Sequence, residues 1–385
     1  MNADIEPFHA IAISTLAHAL QAEGRSVVHM EFGQPSTGAP RGALEVAHRV
    51  LDTDPMGYWE SIPLKMRLAR HYLDTYDLTI APERFILTCG ASPALVLALL
   101  SAFQPGDRVA LARPGYVAYR NSIRALHLVP MEIPCGPDRR FQLTVASVAD
   151  LDPAPRGLIV ASPANPTGSI IDRDGLAAIA EVCKQRGIQI ISDEIYHGLS
   201  YGPATHSMLE FSPAAFVINS FSKYFSMAGW RLGWLVAPPD QIKRVRALVG
   251  NLFLSAPSLS QHAALAAFEC REELQSNLQV YAENRKRLLA ALPQFNLSAM
   301  APPDGAFYLY VNVGHLTDDS LEFCKKMLRE IGVAIAPGQD FDPVDGKRFV
   351  RISFAVSTEE LDMAIERLGE WLPKQPVAAG SAPSR

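Results

Sequence analysis

The chain has 385 residues, a formal net charge of -5, 48% hydrophobic residues and 19% charged residues. It is long enough for two domains with sizeable cores and too apolar for a disordered chain. The acidic balance argues against nucleic acid, and neither a membrane span of ~18 apolar residues nor a secretory leader is recognisable.

In chain order, residues 6 to 22 carry a helical apolar pattern (Phe8, Ile11, Leu16, Leu20) that stops near Gly24. Val27 to Phe32 read as a strand that breaks at Gly33-Gln34-Pro35. Gly57-Tyr58-Trp59 lies in a turn-rich stretch before a helix with Leu64, Leu68 and Tyr72. From Phe85 to Thr88 the chain begins to alternate strands and helices, with further strands at Arg108–Ala112, Leu126–Ile133, Leu158–Ala161, Gln189–Ser192, Phe216–Asn219 and Leu232–Val236. Such alternation predicts a parallel sheet with helices on both faces. One long helical stretch is expected from Gln261 to about Leu292, then shorter strands at Ala306–Val311, Gly332–Ile335 and Phe349–Phe354. These suggest a smaller α+β domain. The Pro/Ala/Ser-rich end reads as a disordered tail.

Several motifs are absent. No two glycines stand two apart, so there is no GxGxxG fingerprint, and no histidine pair has helical i,i+4 spacing for zinc. Five scattered cysteines without a CxxC pair fit reduced thiols in the cytoplasm. Gly198-Leu199-Ser200-Tyr201-Gly202 matches GxSxG, but a proline-containing loop follows where a nucleophile elbow needs a helix. A serine hydrolase built on Ser200 is therefore a remote rival.

The chemistry-bearing residues fall at strand ends, where α/β sheets gather ligands. Lys223 sits in Ser220-Phe221-Ser222-Lys223, and Arg231 follows eight residues on. A lysine made less basic by burial and neighbouring cations is a nucleophilic amine, and hydroxyls with a guanidinium suit a dianionic phosphate. Gly90-Ala91-Ser92-Pro93 opens a helix whose free N–H groups form an anion site. Tyr116 offers an aromatic face; Asn165 lies in an Asn-Pro bend; Asp193 and Tyr196 follow the Gln189–Ser192 strand. Arg351 lies within an apolar strand, where an unpaired guanidinium is costly unless an anion joins it. Each has a plainer reading as a cap, turn, core ring or internal ion pair.

Taken together, from Gly33-Gln34-Pro35 to Val350-Arg351-Ile352-Ser353, these motifs resemble the pyridoxal-phosphate aminotransferases of fold type I, class I, the group that includes aspartate aminotransferase. The resemblance implies a large α/β domain with a mostly parallel sheet (36–265), a smaller α+β domain (266–372), an N-terminal segment (1–35) packing with the latter, and a tail at 373–385. It implies that Lys223 forms a Schiff base with pyridoxal 5'-phosphate and shuttles a proton. Asp193 would keep the ring nitrogen protonated; Tyr196 and Asn165 would bond the phenolic oxygen; Tyr116 would stack on the ring. Ala91, Ser92, Ser220, Ser222 and Arg231 would hold the phosphate, joined by Tyr58 across a homodimer interface. Arg351 would grip the substrate carboxylate near Gly33 and Asn165. The substrates would be an L-amino acid and a 2-oxo acid. No second arginine for an acidic side chain stands out, and Tyr58 to Lys65 departs from the family pattern by lacking a glycine after the tyrosine. A carbon–sulfur β-lyase using the same residues is the nearest rival, and a regulator that binds the cofactor without turnover is another.

Overall fold

Two sheets organise residues 5–376, the part of the chain described by this computed structural model. The strands are β1 (Val28–Met30), β2 (Phe85–Thr88), β3 (Arg108–Arg113), β4 (Val129–Pro134), β5 (Gly157–Ala161), β6 (Gln189–Asp193), β7 (Phe216–Ser220), β8 (Gly233–Val236), β9 (Tyr308–Asn312), β10 (Val333–Pro337) and β11 (Phe349–Ser353). Five helices matter for the site: α1 (His9–Ala22), α2 (Arg41–Thr53), α3 (Ile62–Tyr76), α4 (Ala91–Ala102) and α5 (Val117–Ala125).

The larger sheet has the order β2-β8-β7-β6-β5-β3-β4. The run from β7 to β4 is parallel, while β8 is antiparallel to both β7 and β2. β8 escapes the parallel rule because β7 and β8 are joined only by the Lys223 turn and a short 3-10 turn, Ala228–Trp230. That connection cannot hold a crossover helix. The strand pleat sends alternate residues to two cores. Leu158, Val160, Ile190 and Val217 pack with Leu64 and Leu68 of α3, whereas Ile159, Ile191, Phe216 and Ile218 pack with Leu95 of α4 and Ile123 of α5. A sheet buried on both faces needs nearly continuous apolar strands, which these are.

The smaller sheet, β1-β10-β11-β9, pairs β1 in parallel with β10, so chain start and chain end form one layer. The stretch expected as one helix from Gln261 is two, Ser258–Ala267 and Arg271–Ala291. The break at 268–270 lets Phe268 turn inward against Phe221 and Phe225, with ring centroids 5.6 and 4.9 Å away. Phe221 also meets Trp234 at 5.2 Å. Burying such rings stabilises by roughly 1.5–3 kcal/mol each, and here it clamps both sides of the turn that carries Lys223. At the chain end, a 3-10 turn, Leu372–Lys374, runs into the first two residues of the expected tail (373–385), of which 377–385 lie outside the described part.

Candidate active site

A cavity of about 360 Å³ opens where β5, β6 and β7 end. Its wall includes Gly33, Ala91, Ser92, Tyr116, Asn165, Asp193, Tyr196, Ser222, Lys223, Arg231 and Arg351, brought together from the whole length of the chain. Two expected residues are elsewhere. Ser220 sits behind the wall, its hydroxyl 2.7 Å from Ser222 Oγ and 3.0 Å from the Leu232 carbonyl. Tyr58 is 84% exposed and does not reach the cavity of its own chain.

Lys223 follows the end of β7, and its Nζ donates to the Gly33 carbonyl. Burial, then the charges of Arg351 and Arg231, lower its ammonium to about 8, with Asp193 pulling the other way. Gly33 must be glycine: a Cβ there would lie 1.6 Å from the Tyr308 hydroxyl.

Asp193 and Glu194 are adjacent acids that the pleat separates. Glu194 turns away, accepting from Ser192, Ser207 and the Met208 amide, and burial pushes it up to about 8. Asp193 faces the cavity and accepts from Tyr119 Oη at 2.6 Å and from the Ile195 amide at 3.1 Å. Burial raises its pKa, while those two hydrogen bonds and Lys223 oppose the rise. No cationic side chain forms a salt bridge with it among the described residues.

At the other end of the cavity, Gly90 starts α4 with φ of +100°, and a Cβ there would come 2.5 Å from Arg231 Nη2. Glycine therefore lets the guanidinium lie over the helix start, where Arg231 donates to the Ala228 and Cys89 carbonyls. The first N–H groups of an α-helix lack intrahelical partners, so this corner gathers donors for an anion.

Arg351 donates to Asn165 Oδ1 at 2.9 Å and to the Glu31 carbonyl. Its guanidinium lies between the Tyr308 and Phe341 rings, 4.4 and 4.7 Å from their centroids. Its Nε has no partner, and no carboxylate pairs with it among the described residues. The internal ion pair that the sequence left open is absent there. Tyr196 and Tyr308 share a hydrogen bond of 2.7 Å. Tyr116, half-buried, meets Tyr119 edge-on at 5.5 Å.

Tyr119, Tyr308 and Phe8 are functional candidates that sequence reasoning missed. Tyr119 had a signal, because it lies one helical turn after Tyr116 and so shares its face. Tyr308 and Phe8 had none beyond apolar patterning. Ser200, by contrast, forms an isolated bridge with Gly305 and is followed by loop, so no nucleophile elbow exists.

An anion corner, a carboxylate lacking a cation and an amine between them suit a ring that carries a phosphate at one side and a basic nitrogen at another. The donor set thus fits pyridoxal phosphate.

Residues 53–368 match the family described as aminotransferase class I and II. The chain is 44% identical to the valine–pyruvate aminotransferase of Mycobacterium tuberculosis, over 97% of this chain and 98% of that protein. It is 35% identical to the (5-formylfuran-3-yl)methyl phosphate transaminase of Methanocaldococcus jannaschii, over 96% and 98%. Among solved structures, an aminotransferase from Mycobacterium tuberculosis superposes with a TM-score of 0.94 at 44% identity, covering 96% of this chain and 98% of that one. The Thermus thermophilus aspartate aminotransferase gives 0.89 at 28% identity, covering 95% and 97%.

Proposed function

The chain belongs to the aminotransferase class I and II family and moves an amino group from an amino acid to a 2-oxo acid, and from that premise we propose that it works with pyridoxal phosphate held by Lys223. The observation that supports this reading is the cavity itself: an amine lowered to about 8, a carboxylate without a cation and a guanidinium without an anion line one wall. Pyridoxal phosphate supplies an aldehyde for the amine and, once its ring nitrogen is protonated, a sink for the electrons of the Cα–H bond.

The chain's own residues do the rest. Lys223 Nζ, uncharged near neutral pH more often than an ordinary lysine, takes the proton from substrate Cα and passes it on. Asp193, fixed by Tyr119, holds the proton of the ring nitrogen. Arg351 grips the α-carboxylate in its planar fork, with Asn165 keeping that fork oriented. Tyr196, paired with Tyr308, and Asn165 serve the phenolic oxygen, and Tyr116 covers the ring face. The Ala91 and Ser92 amides, Ser222 and Arg231 hold the phosphate, with Ser220 orienting Ser222.

The donor is a small apolar L-amino acid. Lys223, Arg231 and Arg351 are the cations that line the cavity among the described residues, and each already has a role, which leaves none of them for an acidic side chain. The relative named for valine and pyruvate points the same way. A panel of L-amino acids with pyruvate tests this, with alanine formation as the readout. Valine should lead and aspartate should trail. Continuous pyruvate and ammonia from cystathionine without an acceptor, and no alanine from any donor, would overturn it in favour of elimination.

The functional unit is a cytoplasmic homodimer whose subunits each divide near residue 265 into the large and small units, with the first 35 residues joining the small one. Leu44 and Leu51 of α2, Ile62 and Met66 of α3, and Tyr58, Leu252 and Leu254 are exposed large apolar side chains that a second copy would bury. Tyr58 then reaches the partner's phosphate. Tyr58→Phe should weaken cofactor retention about tenfold or more, as expected for a hydrogen bond to a charged group. Mixing it with Lys223→Ala subunits should regenerate one intact site per hybrid. Hybrids no better than their parents would sink the shared site.

A further inference from the structure

Residues 5–8 tie two parts of the cavity wall together before α1 begins. Glu6 accepts from Arg120 Nη2 and Arg124 Nη1, both at 2.7 Å, and its backbone exchanges hydrogen bonds with the Asn121 side chain at 3.0 and 3.3 Å. Arg120 is fully buried and also donates to Glu132 at 2.8 Å. This latch is on α5, the helix that carries Tyr119 and follows directly on Tyr116. Three residues after Glu6, the His9 and Ala10 amides donate to Asp340 at 2.7 and 2.9 Å. Asp340 thereby caps α1, whose N-cap residue Phe8 has no side chain able to do so. The next residue, Phe341, lies against the Arg351 guanidinium. Between the latches, Phe8 lines the cavity with its ring 6.3 Å from Tyr116, edge-on.

We propose that Phe8 is the residue that determines which donor side chains are accepted, and that Glu6 is the positioning residue that holds it there. This rests on the assignment of Arg351 to the α-carboxylate. With the carboxylate at Arg351 and the α-amine toward Lys223, the substrate side chain meets what remains of the wall, including Phe8, Phe32 and Gln34, none of it charged. A cavity of 360 Å³ is at the small end of ligand pockets, which run from about 300 to 1,000 Å³, and the cofactor takes part of it. Space for the side chain is short, and a latched aromatic ring marks its limit. Because Asp340 and Phe341 adjoin one another, Phe8 is anchored to the same turn that packs on Arg351. The ring therefore measures reach from the carboxylate outward.

The test compares L-valine with L-leucine and L-phenylalanine as donors to pyruvate, using holoenzyme of the wild type, Phe8→Ala, Glu6→Gln and the double variant. A second arm measures by calorimetry the binding of two unreactive carboxylates, isovalerate and the longer 4-methylpentanoate. Phe8→Ala should raise kcat/KM for the longer donors relative to valine about tenfold or more, the usual worth of one or two methylenes in a pocket. The calorimetric preference should shift likewise. Glu6→Gln should move the ratio in the same direction by less, and add nothing to Phe8→Ala, because both act through one ring. Equal losses for all donors in Phe8→Ala, with unchanged carboxylate preference, would overturn the proposal. A Glu6→Gln effect that multiplies that of Phe8→Ala would overturn the positioning role. If the wild type transferred no amino group at all, the reading of the reaction would fail, while the calorimetric arm would still decide the role of Phe8.

Discussion

Lys223→Ala should lower turnover by at least about 10⁴-fold, the upper range for a positioned acid–base group, and should also end covalent retention of the cofactor. Alanine removes both the amine proposed to capture the aldehyde and the group proposed to carry the Cα proton. Nothing else in the wall replaces it, since the other two cations are arginines that cannot give up a proton. The fold should survive, because the turn is held by Phe221 and Phe225 rather than by the lysine. Borohydride treatment of wild-type holoenzyme should fix the cofactor on Lys223; a label on another lysine would remove the assignment. The pH dependence follows from the lowered ammonium. Only the neutral amine attacks, so cofactor capture by cofactor-free enzyme should rise with pH and level off above about 8. A plateau reached only near the pKa of an ordinary lysine, about 10.4, would mean that burial and the two arginines do not act as described.

Asp193→Asn should cost about 10²–10³-fold in kcat, the loss typical of one group removed from a developing charge. The amide is the same size and can still accept from Tyr119, so packing is preserved and the charge is what changes. Cofactor retention should therefore fall much less than turnover. Arg231→Ala should do the reverse, since the guanidinium lies at the anion corner. In the wild type, burial raises the Asp193 pKa against the pull of Tyr119, Ile195 and Lys223. In the proposed role Asp193 acts in its ionised form, so activity should fall on the acid side as pH drops through that raised value, and Tyr119→Phe should move the acid limb to higher pH. Unchanged turnover in Asp193→Asn would be incompatible with its role at the ring nitrogen.

Much of this was legible before any coordinates. The strand ends read at Thr88, Ala161, Ser192 and Asn219, within one residue of those observed, the Gly90 turn into α4 and the lysine turn are all local: continuous apolar runs, a glycine at a tight turn, a proline in a first helical turn. Local chemistry also marked Arg351, because a guanidinium in an apolar strand demands an anion wherever that strand lies. Helix α2 was missed although its buried residues, Ala43, Ala47 and Val50, repeat at i, i+4 and i+7, because two of the three are alanines.

Other features depended on which elements meet in space. Ser220 and Ser222 look alike in sequence, yet the pleat of β7 and the Leu232 carbonyl turn Ser220 behind the wall and leave Ser222 on it. Tyr119 becomes an Asp193 partner because β6 sends Asp193 to the same face as α5, and Phe8 lines the pocket between two long-range latches, Glu6 to α5 and Asp340, 331 residues from His9, to the start of α1. The sequence by itself determined the strand-and-helix order, the family and the residue types of the site, because these follow from short-range period and turn chemistry. Tertiary structure alone decided which of two neighbouring groups faces the cavity and what closes it, because burial and hydrogen-bond partners at those positions come from residues distant in the chain.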